Sequence, residues 1–487
     1  MERRELLKRG GVFGAVGVTG AVTYNRLRDT EPDAEGRDAE PEPDAEDAPR
    51  RYADEFGTVV DIVDAGADPT GGEPIDDLLA DRASDDTLLS FPPGTYRLPP
   101  VELLDYDHLG IAAAGDERPT FRAPDRSCVD SGRHTRFVGV TDFLCDGIDF
   151  DFRAEGAGGS VAVIASGDAT VRGVTIDGSC REQTSMFRME IRNPSGSGVA
   201  EDVRVRDDQG STWMTGAYVG EEHSGEVTFR NCEFSEFTDN GLYGSAPGVD
   251  GGGDGAVNTV DSRFENNNVS NIRLGSSGST ARGDAVVVES PPKAERTNLR
   301  GIRFRRGSGQ TVDDCDIRFG PGIRESFGAI VYHADNRGAS VTDSHVTLDS
   351  DGVPAVNAFY ATDEDGDPPT FDGLTVDGEA SRGFAVDVEG RDGTSFRNCT
   401  IEQTGSNRDG IRLAYSADCE LIDSRIDVTG FPLILRGATV RIRDTTFVTP
   451  AGERHVDQMD AGPGDFRPES WASESENGDS ERREGGV

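Results

Sequence analysis

The chain has 487 residues, a net charge of −42, and only two lysines, Lys8 and Lys293, among its 49 basic residues. An acid excess of this size excludes nucleic acid and an anionic membrane surface as partners. It suits a protein that works in concentrated salt, where a Debye length of ~3 Å at 1 M screens the self-repulsion. Hydrophobic residues make up 34%, and the 62 glycines return the chain to the usual globular range. The expected core is therefore narrow and rich in turns.

In chain order, Arg3 and Arg4 precede a weakly apolar stretch from Gly10 to Val22. This resembles a twin-arginine export signal, so residues 1–27 are read as the signal of a secreted or cell-surface protein. The stretch is shorter than the ~20 residues of a spanning helix. No other run approaches that length, so no integral membrane span is expected. Residues 28–55 are mostly Asp, Glu, Pro and Ala and read as a disordered acidic linker. Residues 56–130 hold an N-terminal cap and the first coils. A repeat occupies 131–450, and 451–487 read as a disordered acidic tail.

The repeat is six residues long: apolar, any, Asn/Asp/Gly, small, any, apolar. It is seen as CDGIDF from Cys145, VRGVTI from Val171, AEDVRV from Ala200, FRNCEF from Phe229 and TVDSRF from Thr259. It continues as VDDCDI from Val312, VTDSHV from Val341, FDGLTV from Phe371, FRNCTI from Phe396, LIDSRI from Leu421 and IRDTTF from Ile442. A degenerate copy near Ala285 fills the one wide gap, and the spacings then lie between 21 and 30 residues. A period of that size means a solenoid. A second pattern of Gly, apolar, any, apolar follows most copies, at Gly216, Gly241, Gly301, Gly383 and Gly410 among others. Alternation without a helical period predicts a strand there, with two more strands flanking the Asn/Asp of the first pattern. That Asn, Asp or Gly must turn the chain in one step, through the left-handed conformation these residues tolerate best. It falls at Asn231, Asp261, Asp314, Asp343, Gly373, Asn398, Asp423 and Asp444. Three short strands per period describe an all-β parallel β-helix of about twelve rungs, ~58 Å long at ~4.8 Å per rung. Cys232, Cys315 and Cys399 share the small slot after the turn with Ser262, Ser344 and Ser424, and are read as unpaired core residues.

With DAGADPTG from Asp64, FPPGTY from Phe91 and a helical spacing of Ile75, Leu78 and Leu79 between them, the chain resembles the right-handed parallel β-helix proteins of the pectate-lyase-like superfamily. The resemblance covers about 56–450 and implies a single-stranded right-handed solenoid with an N-terminal capping helix. The superfamily holds polysaccharide lyases, glycoside hydrolases, esterases, epimerases and non-catalytic surface proteins, so it implies fold more than activity. Gly-His-Gly, the Arg-any-Lys of polygalacturonases and the Arg-Pro-Arg of pectate lyases are missing.

The position two after the Gly slot gives Arg188, Tyr218, Tyr243, Arg273 and Arg303 on successive rungs, then Ile330, Asn357, Ala385 and Arg412. On one outer face, the first five are the candidate substrate-binding residues for an acidic sugar chain. Arg forks carboxylates and Tyr offers a flat face. The resemblance implies a groove on this strand and, if it is catalytic, β-elimination with an Arg base. Arg273 and Arg303 are the catalytic candidates, and Asp239 and Asp254 the candidate ligands for Ca²⁺. The expected function is binding of an acidic polysaccharide, with lytic cleavage ahead of hydrolysis as its chemistry. The alternative is a non-catalytic cell-surface or adhesion scaffold. The charge makes one prediction. Transfer from molar to millimolar salt lowers the melting temperature, read by circular dichroism, because carboxylate repulsion is then unscreened. A flat melting temperature over that range contradicts it.

Overall fold

The structure, a computed structural model, describes residues 52–124, 135–154, 157–179, 185–207, 213–245, 247, 252–291, 298–362 and 366–448, with two further backbone strands, Val456–Met459 and Phe466–Pro468. The expected signal, the linker up to residue 51, Cys128 and Cys180 lie outside these residues, as does most of the expected tail.

Three parallel sheets carry the chain. The first has sixteen strands, from Thr58–Asp61 to Phe466–Pro468. The second has fourteen, from Thr95–Arg97 to Thr446–Val448, and the third fourteen, from Glu102–Leu104 to Val456–Met459. After the first strand, Thr58–Asp61, which pairs with the next strand in sequence, hydrogen-bonded neighbours in a sheet are three strands apart in sequence. Each turn of the coil therefore lays one strand on each sheet, which is the parallel β-solenoid read from the repeat. The first and second sheets take the two strands of the six-residue pattern, and the third takes the Gly-pattern strand.

The turn between the first two strands works as its residue types require. Asn231, Asp261, Asp314, Asp343, Asn398, Asp423 and Asp444 have φ between 44° and 52°, and Gly373 has 71°. One left-handed residue bends the chain without breaking either ladder. The repeat's first residue then stacks turn on turn, with Ala200 paired to Phe229, Phe229 to Thr259, and Phe371 to Phe396. The rings of Phe371 and Phe396 lie 4.8 Å apart and 8° from parallel. The sixth turn departs from the sequence reading. Its repeat starts at Ala281, which pairs with Thr259 and Val312, and turns at Gly283, not at the copy near Ala285. The small slot there holds Asp284, which hid the pattern.

That slot is a polar spine. The backbone N–H groups of Cys232, Cys315 and Cys399 donate to the hydroxyls of Ser262, Ser344 and Ser424 on the next turn, at 3.0, 3.1 and 3.0 Å. Ser262 N–H donates in the same way to Asp284 Oδ1, at 2.8 Å. Cys145, Cys232, Cys315, Cys399 and Cys419 are buried and free, and burial pushes each thiol up to about 12.

At the N-terminal end the helix Asp76–Arg82 brings Leu79 into the core beside Ile75, as its spacing predicts. The hydroxyl of Tyr52 donates to Asp146. The first and third sheets continue past residue 450 through the two short strands at Val456 and Phe466, where composition reads as a loose tail. Among the described residues no helix is long and apolar enough to cross a membrane.

Asp284 generates a test. It is 1% exposed, and burial raises its carboxyl to about 7. The folded state therefore holds a proton that the unfolded chain releases near pH 4, so this group's stability contribution falls as pH rises from about 4 to about 7. In Asp284→Asn, Oδ1 still accepts from Ser262 N–H, Nδ2 donates to the Thr259 hydroxyl, and the titration is removed. The variant gains roughly 2–4 kcal/mol over wild type at pH 8 and none at pH 4. Parallel denaturant midpoints across that range contradict the assignment.

Candidate functional site

The third sheet's register pairs Arg188 with Tyr218, Tyr218 with Tyr243, Tyr243 with Arg273, and Arg273 with Arg303. All five candidates thus occupy one ladder on successive turns. The ladder continues with Val331, Asn357, Asp387 and Arg412. Ile330 and Ala385, expected from spacing, are buried core residues. The reason is local: Ala329 and Ala385 hold the slot that Gly301 and Gly410 hold elsewhere, so Gly328 and Gly383 fall one and two residues too early.

The five do not form an evenly exposed stripe. At one end Arg188 is neutralised, donating to Glu190 Oε2 from Nη2 at 2.6 Å and from Nε at 3.1 Å. Arg192 binds the other oxygen of Glu190 at 2.9 Å. Burial works against ionisation of Glu190, but the two arginines hold it below the usual carboxylate value. Next come the paired rings of Tyr218 and Tyr243, with centroids 5.1 Å apart. The Arg273 guanidinium carbon lies 3.6 Å from the centre of the Tyr243 ring.

Arg273 is 4% exposed and makes no hydrogen bond or ion pair among the described residues, and its Nε–H is buried without an acceptor. The buried Nε–H groups of Arg303 and Arg300 are likewise unpartnered. Burial, then Arg305 and Arg303, push Arg273 well below its ordinary value. Burial and Arg305 push Arg303 to about 9. A guanidinium keeps its proton at neutral pH, so these directions measure an uncompensated desolvation cost.

Two carboxylates face this cluster, and both are engaged. Asp335 takes Arg305 through both oxygens at 2.7–3.0 Å and accepts from His333 Nδ1 at 2.8 Å. Asp239 faces Arg303 but accepts from Thr215 at 3.0 Å and Asn240 at 2.7 Å. Asp254 caps the backbone N–H of Ser277 at 2.9 Å. Among the described residues no group of three or more His, Cys, Asp and Glu is placed to hold a metal ion, so the structure does not bring Asp239 and Asp254 together as such a group.

Two buried arginines elsewhere, Arg408 and Arg391, are satisfied, whereas Arg172 and Arg412 also keep an unpartnered Nε. Arg408 donates to the carbonyls of Arg382 and Val353, both at 2.7 Å, and to Gln403 at 3.1 Å. Arg391 donates to three carbonyls, on Phe359, Asn336 and His333, at 2.8–2.9 Å. Against these, the Nε–H groups of Arg273 and Arg303 have no acceptor, and Tyr243 packs on the Arg273 guanidinium. Sequence spacing missed Arg300, Arg305, His333 and Asp335. The signal available was four arginines within residues 300–306 of an acidic chain.

No family model matches the chain, and no curated protein matches it. Solved structures do. The Streptococcus pneumoniae surface protein and adhesin PfbA is 11% identical, with 82% of this chain and 100% of that chain covered and a TM-score of 0.44. The Azotobacter vinelandii mannuronan C-5 epimerase AlgE4 A-module is 15% identical, over 73% and 97%, at 0.41. The Agl-KA catalytic domain is 14% identical, over 82% and 68%, at 0.43. This chain is a parallel β-solenoid protein, as its three sheets show. The likeness is one of fold.

In this β-helix the contrast between arginines can be measured. Arg273→Met removes a buried charge that has no hydrogen-bond partner and keeps a stem against Tyr243. The loss of up to about 2 kcal/mol of cation–π contact is offset by relief of about 1–4 kcal/mol of desolvation. The variant therefore melts at or above the wild-type temperature. Arg408→Met orphans two carbonyls and loses about 3–5 kcal/mol. Equal damage from both substitutions shows Arg273 to be a structural residue.

Proposed function

We propose that the β-helix binds an acidic polysaccharide along the outer face of its third sheet. A uronate carboxylate lies on Arg273 and Arg303, and neighbouring sugar rings lie on Tyr218 and Tyr243. The observation that carries this reading is the in-register pair of Arg273, buried, and Arg303, half-buried, whose Nε–H groups have no acceptor, beside the tilted rings of Tyr218 and Tyr243. Arginine suits carboxylate by its forked donors, and the tyrosines give an apolar wall with a polar edge.

Bound in this way, a uronate is prepared for β-elimination. The proton beside the carboxylate leaves to a base, its electron pair forms the new double bond, and the bond to the departing sugar oxygen breaks as that oxygen gains a proton. Arg303 and Arg273 are the candidates for the base, a role open only to a guanidinium that has first given up its proton, which burial and the neighbouring arginines favour. One observation favours the second reading, a binding scaffold without chemistry. Between Arg188 and Asp387 the ladder carries Tyr, Arg, Val and Asn, with no carboxylate or imidazole on it. Export of the folded chain by the twin-arginine route to the cell surface fits either reading.

The experiment is retention on immobilised acidic glycans in high salt, with neutral glycans as control and unsaturated-uronate absorbance read in parallel. Wild type is retained on the acidic glycans. Arg273→Met with Arg303→Met lowers retention at least about tenfold, the loss expected for one charge-assisted pair. Absorbance that rises with wild type alone establishes the lyase, and retention without absorbance establishes the scaffold. Unchanged retention of the double variant removes these arginines from the site.

A further inference from the structure

Beyond the arginine ladder, the corner where the strands of the third sheet end carries a second feature. Of the large apolar side chains exposed among the described residues, Tyr360 and Tyr415 are the two most exposed, at 58% and 63%. Phe327, by contrast, packs on Arg300 and Phe359. Neither tyrosine makes a hydrogen bond or meets another ring among the described residues. The two share one slot. Ala358 pairs with Val388, Glu389 with Ala414 and Ala414 with Arg436, so that slot holds Tyr360, Gly390, Tyr415 and Gly437 on four successive turns. Each ring leans over the glycine of the following turn. A Cβ at position 390 would fall 2.2 Å from Tyr360 Cδ2, and one at 437 would fall 3.4 Å from Tyr415 Cδ1. Tyr415 is also left-handed, with φ of 52°, between Gly390 at 58° and Gly437 at 57°. Most other left-handed non-glycine residues of the described chain are Asn or Asp, and a bulky side chain in that conformation is strained. Glycine meets the need on either side. A strained tyrosine whose ring is mostly in water gains little from packing, and backbone strain kept without such a return marks functional positions.

We propose that Tyr360 and Tyr415 form a platform for a neutral, extended β-1,4-linked hexose chain lying along the rod. The two rings are two turns apart, or about 9.6 Å. That is about the repeat of two pyranose rings in such a chain, in which every second ring presents the same face. The C–H groups of that face are attracted to the negative face of an aromatic ring, so every second sugar packs on a tyrosine. Charge selects a neutral ligand. Glu389, Asp392 and Asp418, within three residues of the slot, outnumber the one exposed cation there, Arg436. Arg412 is held by Asp387 and Glu389, and Arg391 by three backbone carbonyls. A uronate would meet net negative charge here, whereas sugar hydroxyls donate to carboxylates. The platform begins two turns beyond Arg303 and does not depend on the acidic-glycan reading.

The test is calorimetric titration in molar salt with cellobiose, cellotriose and cellohexaose, and with maltohexaose, whose chain curls, as control. Three sugar rings are the fewest that reach both tyrosines. Wild-type affinity therefore rises by roughly three- to tenfold from the disaccharide to the trisaccharide, the gain of a second stacked ring. Maltohexaose binds more weakly than cellohexaose. Tyr415→Gly installs the residue of the flanking turns, melts close to the wild-type temperature and loses the step, so the loss is not one of fold. Tyr360→Ala loses the step as well. Absence of the step in wild type, equal affinity for maltohexaose, or a step that survives Tyr415→Gly overturns the proposal. Self-association of wild type that Tyr415→Gly abolishes, read by sedimentation and without a sugar step, also overturns it and assigns the platform to a second copy of the chain.

Discussion

The structure depends on one geometric requirement: every turn of the coil must return each residue slot to a place directly above its predecessor. Parallel ladders enforce this through evenly spaced hydrogen bonds, and a slip of one residue would move a whole apolar set to the solvent face. The single left-handed residue between the first and second strands meets the requirement. Asn231, Asp314 and Asn398 do so on different turns with nearly the same φ, 49°, 52° and 52°. The neighbouring small slot reinforces it, because a serine hydroxyl on one turn receives the backbone N–H of the turn before. Packing, polar satisfaction and register are thus met by the same few positions, which is why they repeat visibly in the sequence.

The same stacking creates an electrostatic problem. Outward residues on adjacent turns lie ~4.8 Å apart, so a slot occupied by one sign of charge repels itself along the rod. Much of the surface answers with cross-turn pairs. Arg136 binds Glu102 at 2.9 Å, Arg412 binds Asp387 at 2.5 Å, and Arg425 binds Glu402 at 3.3 Å. The ladder through Arg273 and Arg303 breaks this rule, since two arginines pair in register with no acid between them. A chain with 91 acidic residues does not lack carboxylates to place there. Local violations of an otherwise consistent pattern are where function is expected, because stability lost there is supplied by the rest of the fold. Arg188, on the same ladder but bound to Glu190, shows what the compensated version looks like.

Much was legible in the sequence because period and slot are local properties. The turn residues, the three strands per turn, the stacking of Phe229 and Phe396 in one ladder, and the free state of Cys232, Cys315 and Cys399 all followed from reading the chain against itself. The ladder from Arg188 to Arg303 was legible for the same reason, as a fixed offset from a repeated glycine. The offset failed at Ile330 and Ala385, where alanine holds that slot and the nearest glycine lies one or two residues earlier. It failed at the sixth turn, where a buried Asp284 occupies a slot read as small and neutral.

What the sequence determined by itself is the coil: its class, its period, and which residues share a slot. These depend on backbone sterics and alternation, which each turn states anew. What only the tertiary structure decided is the state of the charges on that coil. Arg188, Arg273, Arg303 and Arg412 are equivalent by position, yet two are paired and two are not. The difference lies in partners such as Glu190 and Asp387, which the repeat does not encode. Burial and ion pairing depend on which side chains several turns bring together, and that sum over neighbours exists only once the chain is wound.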